Sequence, residues 1–223
     1  MIIGIDLGTM KSVVGIWQNQ SPCIIPDRTG SLSIPSLVLF TPENKIYVGN
    51  AAKRHPEYYK GKNITISSVK RLLGRSGKTR WDWLETFPQE ISAFILAELK
   101  DQAERHLSCK IDKAVIAIPS HFDDSQRRAT KEAAEIAGLD VVRLLNEATA
   151  AALTYGFNKL GEQTILVFDF GGGTLDVSIL DLGEGVYEVK CIEGDSNLGG
   201  DDFDKGYNGL CSRSYSESLG SSH

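Results

Sequence analysis

The sequence predicts an α/β protein, and three of its features point to that class. Hydrophobic residues make up 41% of the chain and charged residues 24%, which is typical of a globular domain. From Lys113 to Gly156, strand and helix patterns alternate, as they do around parallel sheets. Beyond that segment, apolar strands are separated by glycine turns. With 223 residues, the chain can form one large domain or two small ones.

The N-terminal residues predict two pairs of strands. Ile2–Asp6 has the pattern of a buried strand, Leu7–Thr9 that of a turn, and Ser12–Trp17 that of a second strand. Together they predict a hairpin at the start of the chain. A further pair is expected at Ser36–Phe40 and Lys45–Val48, joined by a segment whose Pro and Asn favour a turn.

The clearest helix pattern runs from Thr86 to Leu107. Thr86 and Gln89 fit a capping box, and Pro88 suits the first turn. Apolar residues recur every four positions along it, which predicts one buried face; they are Ile91, Ile95, Leu99, Ala103 and Leu107.

The second half of the chain alternates between strands and helices. Ala114–Ile118 predicts a strand, Asp123 can cap a helix that stops at Gly138, and Val141–Leu145 predicts the next strand. An alanine-rich helix is expected at Glu147–Tyr155. Three strands follow, predicted at Thr164–Asp169, Leu175–Leu182 and Val186–Ile192. Beyond Asp204 the pattern is lost, and the serine-rich segment Cys211–His223 predicts a flexible tail.

Charge, cysteine spacing and hydropathy exclude several classes of protein. The net charge is −5 and there is no basic block, so nucleic-acid binding is not expected. The four cysteines lack zinc-ligand and disulfide-framework spacing, so we interpret them as reduced thiols. No apolar run approaches the roughly 18–20 residues that span a bilayer. Because no basic, apolar leader opens the chain, the expected location is the cytoplasm.

Two segments of the chain share one design. Residues 3–9 and 167–174 each place an Asp at the end of an apolar strand and then turn through Gly to Thr. Such turns expose backbone N–H groups where a phosphate can approach without meeting a Cβ atom. A carboxylate beside that phosphate would repel it unless a divalent cation lay between them, and Mg²⁺, which keeps several waters, suits that position. The pair therefore predicts a nucleotide clamp, and the alternative is two ordinary glycine hairpin turns with capping Asp and Thr.

Other nucleotide motifs are absent from the sequence. Gly77-Lys78-Thr79 matches the end of a Walker A loop, but Leu72 occupies the position of its first glycine. No G-x-G-x-x-G joins a strand to a helix, so nicotinamide chemistry is not expected. Considered alone, Lys70 indicates a solvated Lys-Arg turn, and Glu147 indicates an ordinary acid at a helix N-terminus.

Five segments together resemble the ATPase domain of DnaK-type heat-shock chaperones. They are Ile5–Thr9, Val69–Arg75, Asn146–Gly156, Phe168–Ser178 and Gly194–Asp204. Actins and sugar kinases share the Asp-Gly-Thr device, but the combination and its order over residues 1–204 point to the chaperone branch.

The resemblance implies an actin-like ATPase fold, with a first lobe that is nearly complete and a second lobe that is truncated. The first lobe would span residues 1–160, with an inserted outer subdomain over about 35–110. The second lobe would begin at 161–205, and 206–223 would be the serine-rich tail. The ligands implied are ATP or ADP with Mg²⁺.

Site residues follow from the same resemblance. Lys70, Glu147, Asp169 and Thr174 would be catalytic, with Lys70 approaching the γ-phosphate. Asp6 and Asp169 would hold Mg²⁺ through water. The nucleotide-contacting residues would be Asp6, Gly8, Thr9, Met10, Gly171, Gly172, Gly173, Thr174, Gly199 and Gly200.

Pro119 and Arg127 match regulatory positions that relay the nucleotide state to a peptide-binding domain, which this sequence lacks. Without the resemblance they predict a strand stop and an exposed helix charge. Three positions depart from the family pattern, because Met10 replaces a Thr, Ala148 a Pro and His121 a Tyr.

The function expected from the sequence is ATP binding by a chaperone ATPase domain, with hydrolysis weakened or lost by truncation. The resemblance places the adenine and ribose contacts after residue 204. Expected partners are ATP and either co-chaperones or an intact homologue, without nucleic acid or membrane. Two alternatives stay open. One is a small-molecule kinase of the actin-like class, and the other is a non-enzymatic fragment that binds proteins.

Overall fold

The computed structural model of the chain describes residues 1–55, 61–156, 161–183 and 186–207. Its strands are β1 Ile2–Leu7, β2 Lys11–Gln18, β3 Ser21–Ile24, β4 Ile34–Pro35, β5 Leu37–Phe40, β6 Ile46–Val48, β7 Ile64–Ser67, β8 Thr79–Trp81, β9 Leu84–Thr86, β10 Lys113–Ile118, β11 Asp140–Asn146, β12 Gln163–Phe170, β13 Leu175–Gly183 and β14 Val186–Asp195. Its helices are α1 Gly49–Lys53, α2 Pro88–Leu107, α3 Asp124–Ile136, α4 Glu147–Gly156 and α5 over residues 200–207, with a 3-10 turn at Val69–Leu72. The mixed α/β class predicted from the sequence is confirmed.

The main sheet has the strand order β11-β10-β1-β2-β3, with β4 paired to β2. The predicted β1–β2 hairpin is confirmed as an antiparallel pair. Strands β1, β10 and β11 run parallel to one another. Parallel strands finish on the same side of a sheet, so the residues that follow them, Gly8, Pro119 and Glu147, share one edge.

One face of the main sheet carries the largest hydrophobic core. Ile3, Ile5 and Leu7 of β1 point into it, together with the apolar face of α2. The other face of β1 stays accessible, and Ile2 on that face is 49% exposed. The expectation of a buried strand therefore holds for only one side of β1. Its alternating burial is the pattern of a strand covered on one face.

Helix α2 begins two residues later than predicted, with a different cap. Thr86 ends β9, and Phe87 occupies the N-cap position. The Glu90 carboxylate accepts the Phe87 N–H at 2.9 Å and also a bond from the Thr86 hydroxyl. Gln89 instead donates to Glu132 of α3. The predicted Thr86–Gln89 capping box is therefore wrong, because the charged Glu90 is the stronger acceptor at this helix start.

Residues 163–195 form an antiparallel meander of β12, β13 and β14, as predicted, with each strand slightly longer than expected. Helix α4 packs on the meander, where Ala152 contacts a small core with Leu180 and Leu182. Helix α5 follows and continues beyond residue 204, where the sequence predicted no structure. The Phe203 ring of α5 packs edge-on against Phe170, with centroids 5.7 Å apart. The rest of the predicted tail, residues 208–223, lies outside the described residues.

Two smaller sheets complete the fold. Strands β5, β6 and β7 form one of them, and β8 and β9 form the other. The short strands β3, β7, β8 and β9 were not anticipated, because three or four residues carry too little alternation to be recognised. Cys23, Cys109 and Cys191 are free thiols, as expected, and Cys211 lies outside the described residues. Among the described helices, none combines the length and apolar character that crossing a membrane requires.

Candidate functional site

The two glycine turns predicted to act together face each other in the structure. The first, residues 8–10, connects β1 to β2, and the second, residues 171–174, connects β12 to β13. A Cβ atom built on Gly173 would lie 2.5 Å from the Thr9 hydroxyl oxygen, and one on Gly172 would lie 2.2 Å from Met10 Cγ. Only glycine permits such a close approach. The Met10 side chain therefore packs between the turns, where it contacts Gly172.

Two serines that the sequence analysis missed hold the first turn. The Ser36 hydroxyl donates to the Gly8 carbonyl at 2.7 Å and lies 2.8 Å from the Ser12 hydroxyl. The Ser36 N–H donates to the Met10 carbonyl at 2.9 Å. Gly8 itself has no room for a side chain, because a Cβ atom there would lie 2.1 Å from the Lys11 carbonyl oxygen. Isolated serines give no sequence signal of such a role.

Gly199 and Gly200 lie behind the second turn and support it. The Gly200 N–H donates to the Gly171 carbonyl at 3.0 Å, and the Asp201 N–H donates to the Gly172 carbonyl at 2.9 Å. Because the Gly199 N–H also donates to Asp202, neither glycine offers the free donor expected of a nucleotide contact. By contrast, the N–H groups of Gly172 and Gly173 donate to no acceptor within the described part of the chain.

Lys70 and Glu147 form a buried ion pair beside these turns. The Lys70 ammonium lies 2.7 Å from Glu147 Oε1, and only 6% of Lys70 is exposed. The interpretation of Lys70 as a solvated residue is therefore wrong. The 3-10 turn directs Lys70 inward, and the ring of Phe122 lies 5.8 Å from the ammonium. Glu147 is the first residue of α4, as its helix pattern predicted.

Three carboxyl groups at this site have raised pKa values, and one of them belongs to the paired Glu147. Burial raises the pKa of Glu147, against the attraction of Lys70. The Asp6 side chain is exposed to solvent, yet the protein atoms around it raise its pKa by desolvation, against the attraction of Lys70. Burial also raises the pKa of Asp169, with added repulsion from Asp176 and Asp6. Crowded carboxylates that repel one another gain from a cation placed between them.

The described residues contain no group of three or more His, Cys, Asp or Glu side chains close enough to cage a metal ion directly. Asp6 and Asp169 are the two carboxylates predicted to hold Mg²⁺ through water. Mg²⁺ commonly keeps several waters and binds through one or two carboxylates plus phosphate oxygens. The carboxylate oxygens of Asp6 and Asp169 are ligands of the kind that Mg²⁺ prefers.

Arg71, in the 3-10 turn, contacts both α5 and the second glycine turn. Its guanidinium makes a bidentate pair with the Asp202 carboxylate, and its Nε donates to the Gly173 carbonyl at 3.0 Å. This hydrogen-bonded pair lowers the pKa of Asp202 to about 2 and raises the pKa of Arg71. Nearby, the Ser68 hydroxyl donates to Asp201. The sequence analysis missed these contacts, because partners more than 100 positions apart leave no local signal.

A cleft of about 250 Å³ lies where these elements meet. Thr9 and Thr174, one from each glycine turn, line it together with the cationic side chains of Lys70, Arg71 and Arg75. Hydroxyl donors and positive charges at one place suit an anionic oxygen-rich ligand such as a phosphate group.

Pro119 and Arg127, the predicted regulatory residues, lie on either side of residues 120–123, which connect Pro119 to helix α3. Pro119 is buried directly after β10, and Arg127 of α3 donates from Nε to the Phe122 carbonyl at 2.9 Å. Between them, His121 Nδ1 lies 2.9 Å from Asp176 Oδ1 on β13. This connection therefore contacts both the Lys70 region, through the Phe122 ring, and the meander.

Comparison with known families adds one finding. The sequence model of a family described as Hsp70 protein matches residues 2–82 and residues 78–218. The matched ranges include both glycine turns, Lys70, Glu147 and the whole meander. They cover well over half of the chain.

Proposed function

Since the chain belongs to the Hsp70 family, we propose that it binds and hydrolyses ATP with Mg²⁺, as the ATPase domain of a DnaK-type molecular chaperone. The observation that carries this proposal is the contact between the two glycine turns beside the buried Lys70–Glu147 pair. Phosphoryl transfer depends on positioning and on charge neutralisation, and these groups supply both.

Each predicted site residue has a role in this proposal. Thr9 and Thr174 donate hydroxyl groups to phosphate oxygens, and the free N–H groups of Gly172 and Gly173 add backbone donors. Gly8 keeps the first turn tight, while Gly199 and Gly200 hold the second turn in place. Met10 contributes packing between the turns, and its backbone stays beside the phosphate site.

Lys70 and Glu147 act as a unit. Lys70 places positive charge next to the phosphate that is transferred, and Glu147 fixes the direction of the ammonium. The carboxylate of Glu147 also offers an acceptor that can orient an attacking water. Asp6 and Asp169 would hold Mg²⁺ through water. When bound, Mg²⁺ neutralises phosphate charge.

We further propose that the chain has an actin-like arrangement, with residues 1–160 in a first lobe and residues 161–205 at the start of a second. The Arg71–Asp202 pair and the His121–Asp176 contact would then join the lobes. Pro119 and Arg127 would transmit the state of the site, since their connection contacts both sides. Co-chaperones are the partners this proposal implies.

The resemblance places the adenine and ribose contacts after residue 204, while the described site supplies contacts for phosphates. We expect binding dominated by the phosphate groups, so that ADP binds less tightly than ATP.

A second candidate function, binding of a co-chaperone or an intact homologue without nucleotide, is favoured by one observation. Leu166 and Phe168 of β12 are each 63% exposed, and Phe170 on the same face is 44% exposed. Exposed apolar stripes of this kind are typical of contact surfaces. Capture of a partner that does not change with ATP would favour this candidate.

Calorimetric titration of Mg²⁺·ATP into the purified chain tests the main proposal. Asp169→Asn should abolish binding, because it removes one of the two carboxylates assigned to Mg²⁺. Asp140→Asn is the matched control, since it makes the same change at an exposed position at the opposite end of β11 from Glu147. Equal affinities for the two variants, or no binding by the unaltered chain, would contradict the proposal.

A further inference from the structure

Strand β12 forms one edge of the meander sheet. Among the described strands, only β13 pairs with it, and the pairing runs without interruption from Gln163 to Phe170. The opposite edge of β12 therefore presents a row of backbone donors and acceptors along a strand of 8 residues. Such a row is a template to which another strand can add.

The pairing with β13 fixes which residues of β12 face this edge. The Gly171 N–H donates to the Thr174 carbonyl at 3.0 Å, so the odd-numbered residues of β12 direct their backbone groups toward β13. The even-numbered residues, within 164–170, direct theirs away from it. Phe170 lies against the Phe203 ring of α5, so the accessible part of the edge is residues 164–168.

The side chains of the same even-numbered residues lie on the face of the meander that α4 does not cover. Ile165 and Val167, between them, point instead toward the core beneath α4. The uncovered face is apolar beyond the edge as well, because Ile179 of β13 lies opposite Leu166 and is 37% exposed. A strand added to β12 would therefore gain apolar side-chain contacts as well as backbone hydrogen bonds.

The other sheet edges in the described part of the chain have features that discourage strand addition. Strand β3 has 4 residues and contains Pro22. Strand β11 bulges at Val142 and β14 bulges at Lys190, where their pairing registers shift. The edge strands of the two smaller sheets have only 3 or 4 residues each. Short length, proline, bulges and charges all protect sheet edges from pairing.

Strand β12 has none of these protective features. It contains no proline, lysine or arginine, its register with β13 is unbroken, and its single charged residue is Asp169. Its other residues are mostly β-branched or aromatic, which gives the segment a high strand propensity. Of the described sheet edges, β12 is therefore the one most open to pairing.

A second copy of the chain presents the same edge, and two such edges match in an antiparallel arrangement. With Val167 on a twofold axis, Leu166 lies opposite Phe168 of the second copy, and their outward backbone groups face each other. Asp169 then lies opposite Ile165 of the second copy, so no two like charges meet. A twofold pair of this kind satisfies both open edges at once.

The available area indicates how tightly two copies would associate. From their exposed fractions, the side chains of Leu166, Phe168 and Phe170 leave on the order of 300 Å² of apolar surface open. A standard interface buries about 800 Å² on each partner. The backbone hydrogen bonds add to this contact, but the interface stays small. We therefore expect a dissociation constant on the order of 100 μM.

We propose that two copies of this chain associate by antiparallel pairing of their β12 edges, which joins two three-stranded meanders into one continuous sheet. The proposal goes beyond ATP binding and does not depend on it. It also names the partner of the exposed stripe on β12, which is the stripe of a second copy.

Sedimentation equilibrium of the full chain at increasing concentration tests this association. The average mass should rise from one chain to two and no further, because a twofold pair uses both open edges. Phe168→Lys should weaken the association by about tenfold or more, since it sets two added charges close to the axis. Ile179→Lys is the matched control, because it adds the same charge to the same face but on the central strand of the meander. It should leave the association unchanged.

Amide hydrogen exchange gives a second measurement, on the unaltered chain. The Leu166 and Phe168 N–H groups should exchange more slowly at concentrations where the pair forms. The Val167 N–H, which is directed toward β13, should be protected at every concentration. This measurement decides the question if far-UV circular dichroism shows that Phe168→Lys has lost its fold.

Three results would overturn the proposal. The first is a single-chain mass up to about 1 mM, ten times the expected dissociation constant. The second is equal weakening by Phe168→Lys and Ile179→Lys, which would indicate packing between apolar faces. The third is Leu166 exchange that does not change with concentration. Because mass and exchange are measured without nucleotide, failure of the proposed ATP binding would not affect these outcomes.

An extended peptide from another protein is the alternative occupant of the edge. An eight-residue peptide of alternating Val and Thr serves as the probe. If it slows Leu166 exchange in a chain that stays monomeric at every concentration, the edge binds peptides and the pairing of two copies is contradicted.

Discussion

Lys70 and Glu147, 77 positions apart in sequence, are joined by an ion pair of 2.7 Å that is almost closed to solvent. The pair connects the 3-10 turn after β7 to the first residue of α4. A buried pair contributes little net stability when intact, but removal of one partner leaves an uncompensated charge in a poorly solvated place.

The first prediction concerns this pair. Lys70→Met should lower the free energy of unfolding by about 3–5 kcal/mol, because Glu147 would stay buried without its partner and near Asp6 and Asp169. The double variant Lys70→Met with Glu147→Gln should recover most of that loss. Urea unfolding of the single and double variants measures both effects.

The matched control for this cycle is the exposed pair Arg128–Glu132 on α3, where Arg128→Met should cost less than about 1 kcal/mol. Additive effects of the Lys70 and Glu147 changes would show that the two side chains do not interact in solution.

The second prediction concerns the pH dependence of the Arg71–Asp202 contact. The pKa of Asp202 is lowered from 3.8 to about 2, so its contribution to stability is fully present above about pH 4. That contribution declines as the pH falls from 3.8 toward 2, while Arg71 stays charged. The stability difference between the unaltered chain and Asp202→Asn should therefore be constant from pH 6 to 4 and smaller at pH 3.

Arg71→Lys provides the comparison for this measurement. A lysine cannot form the bidentate pair and also reach the Gly173 carbonyl, so the Asp202→Asn difference should shrink at every pH in that background. A difference that grows toward low pH would contradict the assigned direction.

The third prediction uses two glycines near α5. A Cβ atom on Gly199 would lie 2.4 Å from the Gly173 nitrogen, so Gly199→Ala must displace the second glycine turn and should cost about 1–3 kcal/mol. On Gly206, within α5, such a Cβ would have no atom of the described residues within 4 Å, apart from its chain neighbours and its own helix backbone. Gly206→Ala should be neutral or stabilising by up to about 1 kcal/mol.

Thermal unfolding of the two alanine variants tests this difference, and Mg²⁺·ATP titration should show a loss for Gly199→Ala alone. Equal melting temperatures for both variants would mean that the turn and α5 are not in contact in solution.

The fourth prediction separates stability from ligand binding at Asp169. Its pKa is raised, chiefly by burial, so its ionised form opposes folding once the pH exceeds the ordinary value of the group. Asp169→Asn should therefore raise the free energy of unfolding at pH 7, by less than about 1 kcal/mol because water still reaches the group. The gain should diminish as the pH falls toward 4.

The same variant should lose Mg²⁺·ATP binding, as argued above. A melting temperature at pH 7 that falls in Asp169→Asn would instead indicate that the carboxylate makes a stabilising contact.

The periodic spacing of apolar residues, and the turns between the periodic segments, were sufficient to predict much of the architecture. The β1–β2 hairpin, the strand and helix alternation after Lys113 and the three-stranded meander were all visible as local patterns. Short strands such as β8 were not, because three residues cannot establish a period. At the start of α2, either Gln89 or Glu90 could accept the hydrogen bond that closes the capping box. Only the folded backbone selects Glu90.

In the candidate site, too, some features could be predicted from the sequence and others depend on the tertiary structure. The sequence by itself determined the two Asp-Gly-Thr turns, because a tight turn that admits a phosphate requires glycine at fixed positions. Only the tertiary structure decided that Lys70 is buried against Glu147, that Gly199 and Gly200 support the second turn, and that Arg71 pairs with Asp202. These contacts join residues from distant parts of the chain, and charge pairing across such separations depends on where the folded backbone places each side chain.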